Sequence, residues 1–298
     1  MRIICWLVLT SLGAVVSVGV YGQVKRQFNV ENLEACGSIK LSLKANSGNC
    51  FIKPSQNSDI LNVFSNQDTE SFSHNFSKEV KGKVCEVSLS LEEITSGGLS
   101  QTISSRMFRP SDNASDKYWK MYLTDSKPYS LELNYGMGNA NVDLSGLSIQ
   151  KLKISTGSAN VNLGYQTLEN RVDMDSLYVK ADFGSVNVKN INLSRSRHLI
   201  ADVGFGNMSL DFSGQTQVSN HVKGSVGAGN LVIVLPDESV PVLVKVRDSW
   251  LCSVTMVKSL KKISSNTYAN AAYSKNSKNA ISFDLDVSMG KIVFKESD

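Results

Sequence analysis

Apolar and polar residues alternate with period two along most of this chain, the mark of strands with one buried face. The clearest stretch runs from Leu131 to Leu235, where one phrase recurs: a small residue, usually Asn, then apolar, polar, apolar. Its inner copies are Ala140-Asn141-Val142-Asp143-Leu144, Ala159-Asn160-Val161-Asn162-Leu163, Gly184-Ser185-Val186-Asn187-Val188, Gly206-Asn207-Met208-Ser209-Leu210 and Gly229-Asn230-Leu231-Val232-Ile233. Outlying copies start at Gly48 and Gly290. The central apolar residues 142, 161, 186, 208 and 231 are predicted to form one interior column. A period near 20 residues, with units too small to bury their own apolar faces, predicts an all-β, parallel β-solenoid-like stack. An antiparallel β-sandwich of hairpins turning at the Gly-rich phrases is the alternative. The small residue suits a crowded corner, and the Asn side chains one rung apart are expected to share amide hydrogen bonds.

Outside the array the same alternation predicts strands at Ile39–Ala45, Cys50–Ile52, Ile60–Phe64, Val84–Leu91 and Tyr118–Leu123. Trp119, Met121 and Leu123 share one strand face, and Trp119 reads as core. The Ser-, Gly- and Asn-rich stretch 92–116 reads as a long loop. Val240–Val246 is a strong strand, whereas Met256–Lys262 reads as a short helix or an irregular crossing. Ile281–Val287 and the return through Ile292 and Phe294 read as a hairpin-like pair closing the stack. The organisation expected is a leader at 1–22, a β segment with its loop at 23–130, the array at 131–235 and a closing β segment at 236–298.

The leader expectation rests on Arg2, the apolar run Ile3–Val20 and a cleavage site at Val20-Tyr21-Gly22. A retained anchor is the competing reading, and a membrane is a partner only then. Export makes cysteine usage informative. Past the leader remain Cys36, Cys50, Cys85 and Cys252, compatible with two disulfides in any of three connectivities or with a plain core role for Cys50. The net charge of +4 is scattered over 31 basic and 27 acidic residues. Without a basic stripe interleaved with aromatics, no nucleic-acid partner is expected.

Candidate chemistry is thin. His74, His198 and His221 are far apart and no Cys-x-x-Cys occurs, so no metal site is expected. No Gly-x-Ser-x-Gly opens a helix, and Gly136-x-Gly138 and Gly204-x-Gly206 sit between strands rather than before a helix. The acid pairs Asp173/Asp175 and Asp284/Asp286 read as solvated outer positions. A polysaccharide-acting enzyme would need acids and bases converging in a groove, with Asp143, Lys153, Arg171 and Lys180 as the residues to test. The expectation is a protein that is not an enzyme, with no catalytic, cofactor-binding or metal-binding residues and no cofactor.

Tyr118-Trp119-Lys120-Met121-Tyr122-Leu123, Pro128–Leu133, Gly136-Met137-Gly138, Val142–Leu147 and Leu152–Gly157 resemble the toast-rack domain, which overlaps adhesin-like families of bacterial envelope proteins. Leu235–Val242, Tyr268, Tyr273 and Phe283–Ile292 resemble its later segments. The resemblance implies a right-handed β-solenoid-like fold at the cell envelope, periplasmic or on the surface, without assigned catalytic residues. It implies an adhesin-like binding or structural module whose partner is a protein or a glycan. An envelope sensor or scaffold contacting a membrane signalling partner is the alternative.

Overall fold

The computed structural model describes residues 26–32, 34–66, 72–94, 118–274 and 277–297. The expected leader and nearly all of the expected loop at 92–116 lie outside these residues. Twenty-three strands are described. The first seven are β1 (Arg26–Val30), β2 (Ser38–Ala45), β3 (Asn49–Ser55), β4 (Leu61–Ser65), β5 (Phe72–Lys81), β6 (Val84–Glu93) and β7 (Tyr118–Thr124). The array contributes β8 (Pro128–Tyr135), β9 (Asn139–Asp143), β10 (Ser148–Thr156), β11 (Asn160–Gly164), β12 (Met174–Ala181), β13 (Ser185–Lys189), β14 (Ser196–Val203), β15 (Asn207–Asp211), β16 (Asn220–Val226) and β17 (Asn230–Val234). The rest are β18 (Val242–Asp248), β19 (Ser253–Thr255), β20 (Lys261–Ser264), β21 (Thr267–Ala269), β22 (Ile281–Val287) and β23 (Lys291–Lys295).

These strands form two sheets. One is ordered β1-β4-β7-β3-β9-β11-β13-β15-β17-β23-β19, the other β20-β21-β18-β22-β16-β14-β12-β10-β8-β2-β6-β5. Strands alternate between the sheets: β8 passes round a corner into β9, β10 into β11, and so on to β17. Successive strands within a sheet pair in parallel, as β10 does with β12 and β11 with β13. Parallel pairing sets the hairpin sandwich aside and makes each two-strand unit a rung. Nine rungs at ~4.8 Å each give a stack roughly 40 Å tall.

The apolar residues of each strand meet between the sheets. One interior column runs Trp119, Cys50, Ala140, Val161, Val186, Met208, Leu231 and Ile292, all buried. Val142, expected in it, instead pairs with Leu163, two residues along. Asn139 and Asn141 both precede an inward residue, so the sequence phrase fits two registers. The corner chooses: Asn139 N–H bonds the Gly48 carbonyl, which aligns Asn139 with Asn49. On the other sheet Val87, Leu41, Leu131, Leu152, Leu177, Leu199, Val222, Phe283 and Val244 form an equivalent column.

The corners explain the small residue. Asn207 N–H bonds the Gly184 carbonyl, Asn230 N–H that of Gly206, and Lys291 N–H that of Gly229. A Cβ on Gly206 would collide with the carbonyl oxygen of Gly184 in the next rung. Stacked corners thus bring backbone onto backbone, where only glycine or a close substitute fits.

Both ends of the stack depart from chain order. The rung β2/β3 lies between β6/β7 and β8/β9, and the last rung, β22/β23, lies between β16/β17 and β18/β19. The final strand pair is therefore neither a hairpin nor the cap. Its two strands belong to different sheets, and the apolar residues of β22 are covered on both sides. Capping falls to antiparallel edges: β4 and β1 on β7, β5 on β6, and β21 and β20 on β18. The exposed edges β5 and β20 carry lysines, which discourage strand addition. Residues 256–262 contain no helix. They turn at Lys258-Ser259 and enter β20, whose four residues are all exposed. The one helical element in the array is a single 3-10 turn at Ile191–Ser194.

Candidate functional site

Register makes the outer face of the eleven-stranded sheet repetitive. Asn49, Asn139, Asn160, Ser185, Asn207 and Asn230 form one outward column. Phe51, Asn141, Asn162, Asn187, Ser209 and Val232 form the next, two residues along every strand. Neither column carries a formal charge between β3 and β17. Expected amide ladders are present: Asn139 Nδ2 donates to Asn49 Oδ1 at 3.2 Å, Asn162 Nδ2 to Asn141 Oδ1 at 3.2 Å and Asn230 Nδ2 to Asn207 Oδ1 at 2.8 Å. An amide that both donates and accepts along the stack, as Asn139 does, still has a second N–H and a second lone pair for solvent or a ligand. A shallow trough of about 210 Å³ runs between the columns beside Asn160, Asn162, Asn187 and Asn207.

Two features border this face. At the corner edge, Phe183 and Phe205 stand immediately before Gly184 and Gly206 and are each 66% exposed. Their rings stack 5.4 Å apart and 5° from parallel. Met137 and Met289 lie exposed in the same corner row, and Trp250, 90% exposed, lies at the corner of the end rung. At the other edge, Gly164 leaves a notch of about 570 Å³ bounded by Lys53, Asn141, Asp143, Asn162, Gln166 and Lys189. Gly164 is required there, because a Cβ would strike the Lys189 carbonyl oxygen of the next rung. The sequence reading singled out neither the ridge nor the notch. The dipeptide Phe-Gly, repeated 22 residues apart with its glycine opening two copies of the phrase, is the signal that marks the ridge.

The four residues proposed for an enzymatic groove do not converge. Asp143 faces the notch, but its Oδ1 accepts from Ser145 N–H at 3.0 Å and Ser145 Oγ–H at 2.5 Å, so it holds a turn. Lys153 and Lys180 point outward from the opposite sheet, paired with Glu132 at 2.8 Å and Asp182 at 3.0 Å. Arg171, between β11 and β12, pairs with Asp125 at 2.5 Å. Asp173 of the first acid pair and both acids of the second are also tied to arginines. Arg197 and Arg195 bond Asp173 at 2.6 and 2.7 Å and hold its carboxyl below the usual range. Arg247 spans Asp284 at 2.9 Å and Asp286 at 3.3 Å.

Cysteines and histidines are equally settled. Cys36 and Cys85 form a disulfide, with Cα atoms 5.5 Å apart, while Cys50 and Cys252 are free thiols. Two bridges were one reading of the four cysteines; Cys50 instead takes the core role. Burial pushes its thiol up to about 12, so it is inert at neutral pH. His198 and His221 come together on neighbouring strands with ring centroids 6.3 Å apart, and His221 Nδ1 meets Ser282 Oγ at 2.8 Å. His74 lies apart, against Phe28 at 4.5 Å. Among the described residues, no three His, Cys, Asp or Glu side chains are grouped to hold a metal ion. No described helix is long and apolar enough to cross a membrane.

No curated protein matches the chain. A crystal structure of a putative cell adhesion protein from Clostridium sporogenes ATCC 15579 is similar at TM-score 0.44 and 19% identity, covering 92% of this chain and 99% of that one. The family model for the N-terminal domain of toast_rack, DUF2154, matches residues 21–176. That span begins just before the first edge strand and ends within β12, and it takes in just over half of the 298 residues. The chain belongs to the toast-rack family.

Proposed function

We infer that this protein is a non-catalytic, exported module of the cell envelope that holds its partner on the amide-lined outer face. The observation carrying the reading is the uninterrupted neutrality of the two outward columns from β3 to β17, beside an exposed aromatic edge. Repeated, flat and self-bonded surfaces of this kind suit recognition of an extended partner. Family membership supports the envelope setting, and the leader expected at 1–22 supports export.

Binding of the purified protein to isolated envelope fragments tests it. Asn162→Asp with Asn187→Asp is expected to abolish retention, and Lys153→Ala with Lys180→Ala on the opposite face to preserve it. The reverse pattern overturns the assignment of the face. Cleavage of any member of a polysaccharide panel overturns the non-catalytic reading.

A further inference from the structure

The amide face and the aromatic ridge run side by side along the stack axis, and their chemistry selects one class of ligand. We propose that they form a binding site for an uncharged glycan chain lying across the strands, parallel to that axis. The proposal rests on the face assigned above and names what occupies it.

Three observations carry it. The first is charge. From Asn49 to Asn230 one column offers amides and a hydroxyl only, and its neighbour from Phe51 to Val232 is equally neutral. An anionic polymer finds no cationic track there, whereas sugar hydroxyls find a donor and an acceptor at nearly every rung. The second is period. Side chains recur every ~4.8 Å along the stack, close to the advance of one pyranose unit in an extended chain. Successive sugars therefore meet equivalent groups. The third is the apolar rail. Phe183 and Phe205 precede Ser185 and Asn207 by two residues in their rungs, placing stacked rings beside the first amide column. Carbohydrates present C–H patches as well as hydroxyls, and aromatic carbon beside amides serves both. The trough of about 210 Å³ between the columns is shallow and open, as fits a chain bound along its length rather than one swallowed at an end.

A protein strand fits less well. It would seek unpaired backbone groups at a sheet edge, and these columns lie in the middle of a fully paired sheet.

The test is calorimetric titration of the folded protein with neutral gluco-, xylo- and chito-oligosaccharides of increasing length, and with an anionic polysaccharide as control. Affinity for one neutral series is expected to rise with chain length until the columns are spanned. Phe183→Ser with Phe205→Ser and, separately, Asn162→Asp with Asn187→Asp are each expected to weaken it about tenfold or more. Both phenylalanines are exposed, so their thermal unfolding should match the parent and keep the result interpretable. Salt should have little effect. Failure of every neutral series, equal binding by both variants, or preference for the anionic control with steep salt dependence overturns the proposal. If no glycan binds but envelope retention is still lost in the Asn162→Asp/Asn187→Asp variant, the glycan falls and the binding face stands. If that variant is retained normally, both fall.

Discussion

The two outer faces of the stack share one backbone geometry and differ in chemistry. On the eleven-stranded sheet, Asn stands over Asn for several rungs. On the twelve-stranded sheet the corresponding column reads Ser42, Glu132, Lys153, Tyr178, Ile200, Lys223, Asp284 and Lys245. Parallel in-register stacking places each residue ~5 Å from its equivalent. An amide is donor and acceptor at once, so it repeats on itself with a hydrogen bond gained at each step. A charge repeated at that spacing repels, and like charges directly opposite are destabilising. The charged face must therefore vary from rung to rung, pairing Lys153 with Glu132 and Arg247 with Asp284. Repetition on one face and variation on the other follow from the same stacking rule.

The largest disruption should come where the two faces are joined. Gly206→Val forces a branched side chain onto the Gly184 carbonyl, which is itself fixed by Asn207 N–H. No rotamer relieves a collision at Cβ, so a loss of more than ~3 kcal/mol is expected in urea unfolding, affecting both sheets together. A loss confined to one sheet by hydrogen exchange would show the corner to be less shared than the stacking implies.

The next effect separates the sheets. The twelve-stranded sheet is stapled at its N-terminal end by Cys36–Cys85, closing a separation of 49 residues, while the other sheet has the buried free thiol of Cys50. Cys36→Ala with Cys85→Ala should lower stability by about 2–4 kcal/mol, with early exchange in β2 and β6. Cys50 contributes with opposite chemistry. Its folded value of about 12 exceeds the unfolded value of 9.0, so between them the unfolded chain binds fewer protons. Stability should therefore fall as pH rises from 9 towards 12, and Cys50→Ala should remove that part of the alkaline loss. In native protein at neutral pH, alkylation should mark Cys252 and spare Cys50.

These two faces also decide how much the sequence disclosed. Asn-rich copies of one phrase are visible because self-complementary ladders permit them, and they revealed the solenoid, the small corner residues and the amide ladders. The charged sheet obeys the same register, but its outward residues must differ, so its strands showed only alternation. Register slipped by two at Val142, where Asn139 and Asn141 offer equivalent phrases and only the contact with Gly48 distinguishes them. Insertion of β2/β3 and β22/β23 one rung inward was illegible for another reason. A parallel rung has two equivalent edges, and nothing in its own residues says which neighbour will cover it. The ridge of Phe183 and Phe205 escaped notice because it sits at a corner, outside both strand patterns.

A smaller effect puts the stacking rule to its most direct test. Asn162→Asp with Asn187→Asp sets two carboxylates in one column of adjacent rungs. Both are exposed enough for water to screen them, so the expected loss at neutral pH is only about 1 kcal/mol. Repulsion raises the folded-state values of the pair above the unfolded ones. The folded state then binds more protons through the carboxylate range, so stability should rise as pH falls through it, and added salt should mimic acid.

The smallest effect is the matching change opposite. Lys153→Ala on the charged face removes an exposed pair with Glu132 at 2.8 Å, from a column that already tolerates Tyr178 and Ile200. Burial holds neither partner there, so the change should cost ~0.5 kcal/mol or less and vanish in high salt. Chemical denaturation of both variants at low and high salt compares the faces directly. If the lysine deletion proves the costlier, variation on that sheet is tuned pair by pair rather than merely permitted. If the paired aspartates cost nothing, repetition on the amide face does not depend on neutrality, and the physical reason for its uniform columns must lie with what binds there.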